Sequence, residues 1–138
     1  AFNLKTTAVK VANGYVINGS KIYATNAPVC DLLICYAKTA AKLGCLGITA
    51  FAISKDTPGV TLGTDFKKIG LRTSPMGAVY FENCLVSEKY RIGNEGNGAR
   101  MFEISMNWER IFLFAFYVGM MDRQFQICLA YASTDHVD

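Results

Sequence analysis

One short pair of residues, Asn13-Gly14, constrains the fold of this chain most strongly. A two-residue type I′ hairpin turn needs positive φ angles at both central positions, and Asn followed by Gly tolerates them. We therefore expect a β-hairpin with one arm over residues 6–12 and a return arm from Tyr15 onwards. A second pair, Asn18-Gly19, is expected to make a further turn before the strand segment 21–26.

Short β-type segments continue to about residue 92, with Gly, Pro and Asn between them. They cover residues 31–37, 47–53, 60–62 and 76–86, and a turn is expected at Glu82-Asn83. Residues 31–37 are almost all apolar, which is typical of a strand buried on both faces. Six or more short strands at this spacing predict an antiparallel β-barrel or sandwich.

The composition indicates a packed globular protein. Of the 138 residues, 51% are hydrophobic and 18% are charged, which argues against intrinsic disorder. The net charge is only +3 and no Lys/Arg-rich run occurs, so nucleic acid is not an expected partner. The length suits one domain, or one domain with a fragment of another.

The cysteines indicate a reducing compartment. There are five of them, without C-x-x-C or zinc-finger spacing: Cys30, Cys35, Cys45, Cys84 and Cys128. We expect reduced, mostly buried thiols in a cytoplasmic protein, and no metal site. No signal-peptide pattern is expected at the start of this sequence. Because the chain starts at Ala1 without a Met, it is expected to be part of a longer polypeptide.

The last third of the chain changes to a helical pattern. Helix is expected from about residue 97, with a long proline-free segment over residues 107–133. Residues 111–121 are almost uniformly apolar, but charged residues close the run well short of the ~20 residues that a membrane span needs. This pattern predicts a buried helix of an all-α bundle. Its partners must come from further parts of the polypeptide or from other subunits, so a homo-oligomer, a dimer or tetramer, is expected.

The segment N-G-Y-x-I-N-G-x-K-x-[aromatic]-x-T-N over residues 13–26 resembles the acyl-CoA dehydrogenase family, whose middle β-domain carries G-x-K-x-W-I-T-N. Three further blocks are similar to the family in the same order. These are K-x-G-[IL]-R-x-S at residues 68–74, F-x-[DN]-C-x-V at 81–86 and I-G-x-E-G-x-G at 92–98. The resemblance implies a middle β-domain over residues 1–92 and the truncated start of a helical C-terminal domain over 93–138.

The resemblance also implies FAD as cofactor, held by Tyr23, Ala24 and Thr25. Tyr23 stands where the family has Trp, which keeps an aromatic face but makes it smaller. Regular strand alternation places Tyr23 and Thr25 on one face. Without the family pattern, these residues would be an ordinary strand pair. The glycines of residues 93–98 resemble a dinucleotide-binding loop, but the all-β surroundings argue against that function.

The resemblance places the substrate chemistry at Asn107, Glu109 and Arg110. Asn107 and Arg110 would contact substrate, and Glu109 would be the catalytic base, as in the isovaleryl and long-chain branches. In other branches the base lies on a later helix, beyond residue 138. Glu109 would then be an acid at a helix N-terminus, where the macrodipole favours it.

The implied reaction is the FAD-dependent α,β-dehydrogenation of an acyl-CoA or another acyl thioester. Electron-transferring flavoprotein is the implied electron acceptor, and this chain alone is expected to be inactive. Two alternatives stay open: a relative that acts on thioesters of acyl-carrier proteins, and a non-enzymatic β-domain whose helix is an oligomerisation surface.

Overall fold

A computed structural model describes residues 4–134, which form seven β-strands and one long α-helix, with short 3-10 turns between some strands. The strands are β1 (Thr7–Val11), β2 (Gly14–Thr25), β3 (Leu32–Lys38), β4 (Ile48–Ser54), β5 (Val60–Leu62), β6 (Met76–Val86) and β7 (Arg91–Ile92), and the helix is α1 (Gly98–Ser133). The chain divides into two compact units, one up to Met101 and one from Phe102. Each unit is described by itself.

Within residues 4–134 the strands form one sheet that does not close, in the order β5-β6-β2-β1-β3-β4-β7. Neighbouring strands are antiparallel except for β1 and β3, which are parallel and meet at Thr7 and Lys38. The chain crosses from β2 to the far side of β1 because β6 occupies the other edge of β2. The predicted order, β-strands followed by a long helix, is confirmed and gives an α+β fold. The sheet differs from the predicted antiparallel barrel, because in the described residues it stays open and contains the parallel pair of β1 and β3.

The hairpin between β1 and β2 is present, but its turn differs from the predicted type. Val11 pairs with Gly14, so Ala12 and Asn13 are the central residues, and neither has a positive φ. The type I′ turn over Asn13-Gly14 was therefore wrong. The positive φ, 140°, belongs to Gly14, the first residue of β2. A Cβ there would lie 2.2 Å from the Val86 carbonyl oxygen on β6.

Gly14→Ala is therefore expected to destabilise the complete protein. The substitution combines a backbone conformation that L-residues avoid with a clash against backbone atoms, so the free energy of unfolding should fall by about 2–4 kcal/mol. Gly70→Ala is the matched control, because Gly70 has an ordinary φ and open space around it. Urea unfolding of both variants checks the prediction, and equal stabilities would contradict it.

The pairing of β2 with β6 contains two bulges of opposite sense. Between Ile17 and Gly19 the extra residue lies on β6, where Asn83 has a φ of 48°. Between Lys21 and Ala24 the extra residue lies on β2, so the second bulge restores the original register. The turns predicted at Asn18-Gly19 and Glu82-Asn83 were wrong, because both pairs lie within continuous strands.

The core lies on one face of the sheet and takes side chains from five strands and the segment after β2. Its buried members are Ala8, Tyr15, Ile17, Ala27, Cys35, Ala37, Phe51, Ile53, Val79, Phe81, Cys84 and Val86. The rings of Tyr15 and Phe51 meet edge-to-face with centroids 4.9 Å apart. Strand β3 is not buried on both faces as predicted, because Leu32 and Ile34 are more than half exposed.

The five cysteines are free, but the prediction that most are buried was wrong. Cys35 and Cys84 are buried, Cys30 is half-buried, and Cys45 and Cys128 are exposed. Burial raises the pKa of the Cys35 thiol to about 11, so this thiol stays protonated at neutral pH. The buried thiols therefore act as small apolar side chains of the core.

Helix α1 is continuous for 36 residues and begins at Gly98. Its apolar side chains in the second unit are exposed, among them Phe112, Phe114, Phe116, Met121 and Phe125. Residues 4–134 therefore do not provide the bundle that the sequence predicts around this helix. In the part of the chain that the structure describes, no helix has a stretch long and apolar enough to span a membrane.

Candidate functional site

The bulge in β2 sets the position of Tyr23. Tyr23 has a φ of 62°, a left-handed conformation that a non-glycine residue rarely adopts and that costs about 1–3 kcal/mol. Lys21 and Ala24, three residues apart, are partly buried, while Tyr23 is 73% exposed. Regular alternation would group Lys21 with Tyr23, so the bulge has turned the aromatic ring out to the surface. Bulges that redirect a side chain in this way are common beside active sites.

Phe66 supports the exposed ring. The Tyr23 and Phe66 rings meet edge-to-face with centroids 5.8 Å apart. Phe66 is held by its own backbone, whose N–H donates to the Met76 carbonyl at 2.8 Å. The Met76 N–H in turn donates to the Asp65 carboxylate at 2.8 Å. The aromatic pair is therefore anchored to the start of β6, which lies opposite Thr25 in the sheet.

Thr25 and Asn26 complete this end of β2. Thr25 is exposed and pairs with Met76 through the backbone. Among the described residues, no side-chain hydrogen bond occupies the Thr25 hydroxyl. Asn26 adopts a left-handed conformation with a φ of 61°, and its N–H donates to the Pro75 carbonyl at 2.7 Å. A free hydroxyl thus lies two residues from an exposed aromatic ring, and Ala24 between them packs against the core.

The loop after β5 is closed by the lysine of the K-x-G block. The Lys68 ammonium donates to the Leu71 carbonyl at 2.8 Å and also to the Ser74 carbonyl. The loop surrounds a pocket of about 360 Å³, lined by Asp65, Phe66, Lys67, Lys68 and Arg72. Three cations against one carboxylate make this pocket electropositive, and Phe66 joins it to the Tyr23 ring.

Lys21, the lysine of the first motif, has a structural role. Its ammonium donates to the Tyr36 carbonyl on β3 at 2.6 Å, and burial lowers its pKa. Asn18 has a similar role, because its side-chain oxygen accepts the N–H of the bulged Asn83 at 2.7 Å. These two motif residues stabilise the sheet and its bulges, and neither is exposed for chemistry.

Asn107, Glu109 and Arg110 lie on α1 in the second unit. Glu109 is the twelfth residue of the helix, so it is not an acid at a helix start, and that alternative was wrong. Within residues 4–134, the side chains of Glu109 and Arg110 are exposed. As successive residues of an α-helix, their side chains point about 100° apart. The structure thus groups Tyr23, Ala24 and Thr25 on one element and the three helix residues on another.

Phe66 and the Tyr23 bulge were missed by the sequence reasoning. Phe66 precedes the K-x-G block without a motif of its own, and its contact with Tyr23 crosses 43 positions of the chain. A bulge leaves no signal in the alternation of residues 21–25, because Tyr is not a residue that favours positive φ.

The fold and the bulged strand define a class of protein. It is an α+β protein with a mixed sheet, an aromatic ring exposed at a bulge of that sheet, and a long helix after the last strand. The family model described as the middle domain of acyl-CoA dehydrogenase matches residues 1–84. The chain belongs to the acyl-CoA dehydrogenase family, which confirms the resemblance seen in its motifs.

Individual relatives agree with this assignment. The chain is 40% identical over 133 residues to the L-prolyl-[peptidyl-carrier protein] dehydrogenase of Pseudomonas fluorescens, covering 96% of this chain and 35% of that protein. It is 38% identical over 129 residues to the mitochondrial isovaleryl-CoA dehydrogenase of Oryza sativa subsp. japonica, covering 94% and 32%. The structure of PigA with FAD and proline matches with a TM-score of 0.95 at 38% identity, covering 99% and 36%. The chain spans about a third of the length of these relatives.

Proposed function

We propose that the complete polypeptide is an FAD-dependent dehydrogenase that introduces an α,β double bond into an acyl thioester. The observation that carries this proposal is the bulge at Tyr23, which keeps an aromatic ring exposed at the motif position where the family has Trp. An isolated β-unit gains nothing from a strained tyrosine turned towards solvent. The conformational cost at Tyr23 is offset if a planar group binds over the exposed ring.

The residues at the end of β2 fit a flavin. Tyr23 offers an aromatic surface supported by Phe66, and Thr25 offers a hydroxyl that the described residues leave unused. The electropositive pocket beside Phe66 suits a phosphate-bearing molecule, and both FAD and CoA carry phosphates. PigA, whose structure contains FAD, superposes on nearly the whole chain, which supports the same cofactor here.

The chemistry divides between the cofactor and the residues of α1. When bound, FAD would accept the β-hydrogen of the acyl group as hydride. Glu109 would remove the α-proton with its carboxylate, and Arg110 and Asn107 would hold the substrate beside it. The full polypeptide must also exclude water around Glu109, because this carboxylate is exposed in the unit described here.

The acyl carrier is CoA or a carrier protein. One relative is named for a prolyl group on a peptidyl-carrier protein and another for isovaleryl-CoA. Both substrates are thioesters with an acidic α-proton, so the same base and acceptor serve either. We propose that electron-transferring flavoprotein or an equivalent acceptor removes the electrons. The domain boundary near residue 92, the homo-oligomeric state and the cytoplasmic location stay predictions.

The test is made on the complete protein. A visible flavin spectrum after purification, with loss of the flavin absorbance on anaerobic addition of isovaleryl-CoA or prolyl-carrier protein, would support the proposal. The two additions, made separately, decide between the two carriers. A protein that contains no flavin and takes none up when FAD is added would instead support a non-enzymatic β-domain.

Thr25→Val is expected to weaken FAD binding about 5–10-fold. The substitution removes one hydroxyl at nearly constant volume, and one hydrogen bond contributes about 1 kcal/mol. Thr61→Val is the matched control, because Thr61 is an exposed strand residue on β5. Titration of the apoprotein with FAD measures both constants. Equal affinities would make Thr25 an ordinary strand residue.

A further inference from the structure

The segment that leads into α1 is held to the sheet by an ion pair between Lys10 and Glu95 at 3.8 Å, by a parallel bridge between Ile48 and Asn97, and by hydrogen bonds at two side chains. At the first, the Tyr15 hydroxyl donates to the Glu95 carboxylate at 2.8 Å. At the second, the Gly96 N–H donates to the Thr49 hydroxyl at 3.0 Å. Two residues later the helix begins at Gly98, where a Cβ would lie only 2.8 Å from the Ile48 carbonyl oxygen. We call residues 95–98 the lead-in.

Tyr15 is unusual among the core residues because its ring and its hydroxyl serve different parts of the fold. The ring is fully buried and packs edge-to-face on Phe51. The hydroxyl donates to Glu95 and accepts from the Arg91 guanidinium at 3.3 Å, so both of its functions are used. Phenylalanine would fill the same space in the core. The hydroxyl therefore acts on the lead-in and on Arg91 of β7, and not on core packing.

The hydrogen bond from Gly96 to Thr49 belongs to a buried network in which each polar group has a partner. Thr49 is fully buried, and its hydroxyl lies 2.8 Å from that of Thr39. Thr39 donates to the Gly47 carbonyl, so Thr49 can donate to Thr39 while it accepts from Gly96. A buried relay of this kind has few alternative arrangements, because breaking it would leave polar groups unpaired. Together the hydrogen bonds at Tyr15 and Thr49 help to hold the lead-in against strands β2 and β4.

We propose that Tyr15 is a positioning residue for the dehydrogenation, acting through Glu95 on the start of α1. This inference rests on the proposed function. Asn107, Glu109 and Arg110 are carried by the same uninterrupted helix that begins in the lead-in. On this proposal, a change at the start of the helix is passed along it to all three residues. A misplacement of about 1 Å of reacting groups can lower a rate by about 100-fold.

Tyr15→Phe in the complete enzyme tests the proposal. Backbone amides of the lead-in should exchange with solvent at least about 10-fold faster, because one of the contacts that hold it to the sheet is lost. FAD should be retained. At saturating thioester, the rate of flavin absorbance loss should fall about 10-fold with a smaller change in KM, since the geometry of reaction is altered more than binding.

Matched variants separate positioning from a general loss of stability. Tyr80→Phe removes the hydroxyl of a half-exposed tyrosine on β6 and should leave exchange and rate unchanged. Glu95→Ala should reproduce the slow reaction, while Glu95→Gln keeps an acceptor oxygen and should retain most of the rate. The double variant Tyr15→Phe with Glu95→Ala should be no slower than the slower single variant, because both changes remove the same hydrogen bond between Tyr15 and Glu95.

Three outcomes would overturn the proposal. An unchanged rate in Tyr15→Phe, with or without a lower melting temperature, makes the hydroxyl merely structural. An unchanged exchange rate of the lead-in shows that Tyr15 does not hold it. If the wild-type enzyme loses no flavin absorbance with any thioester, the proposed function fails and the positioning role fails with it. Only this last outcome concerns the proposed function.

Discussion

Glu109→Gln in the complete enzyme is expected to lower the rate of thioester-dependent flavin absorbance loss by about 100-fold or more, the usual scale for a lost general base. Gln has the shape of Glu and can make similar contacts, so substrate affinity should change much less. The amide cannot accept the α-proton, and the loss therefore falls on the chemical step. Rapid mixing under anaerobic conditions measures the rate and the affinity separately.

Glu103→Gln is the control for this variant, because Glu103 is an exposed acid on the same helix, six residues earlier. It should react like the wild type. If Glu109→Gln also reacts at a nearly normal rate, the base lies on a later part of the polypeptide. Glu109 would then be a surface acid within α1, since the structure excludes a helix-start role.

Arg110→Lys is expected to weaken substrate binding about 10-fold and to lower turnover as well. Lysine keeps the positive charge but loses the planar fork of donors that holds an oxygen-bearing group at two points. This pattern differs from that of Glu109→Gln, which leaves binding nearly intact. Steady-state and rapid-mixing measurements on one preparation compare KM, binding and turnover for the two variants.

Arg123→Lys provides the matched control, because Arg123 is an exposed arginine on the same helix and lies just after the apolar residues 111–121. It should leave binding and turnover unchanged. An Arg110→Lys enzyme with normal affinity would show that charge alone suffices, or that Arg110 does not touch the substrate. In either case the arginine would have no role that depends on its fork geometry.

The strand segments and the helix could be predicted because their signals are local. Five of the seven strands lie within a residue or two of segments recognised from apolar and β-branched runs. The start of the helical pattern near residue 97 agrees with the start of α1 at Gly98. The wrong turn predictions all lay at residue pairs that contain Asn, two of them Asn-Gly. These residues permit positive φ angles, but a permissive backbone does not decide between a turn and a bulge.

The candidate site was predictable in part, through the motif that names Tyr23 and Thr25 in one short segment. The surroundings of that segment were not predictable. Phe66 reaches Tyr23 from a loop, and Lys21 reaches the carbonyl of Tyr36 across the sheet. Each of these contacts needs the strand order to be known first. The sequence pattern also gave no warning that two of the five cysteines are exposed.

The sequence by itself determined the class of the fold, the order of its elements, and the family through four motif blocks. These properties depend on residues close together in the chain, whose hydrophobic period and turn chemistry act locally. Only the tertiary structure decided the parallel pairing of β1 with β3, the left-handed Tyr23 and the bond from Tyr15 to Glu95. The last of these joins residues 80 positions apart. Such features are set by packing and by the need to pair buried polar groups, and both depend on partners that come together only in the folded chain.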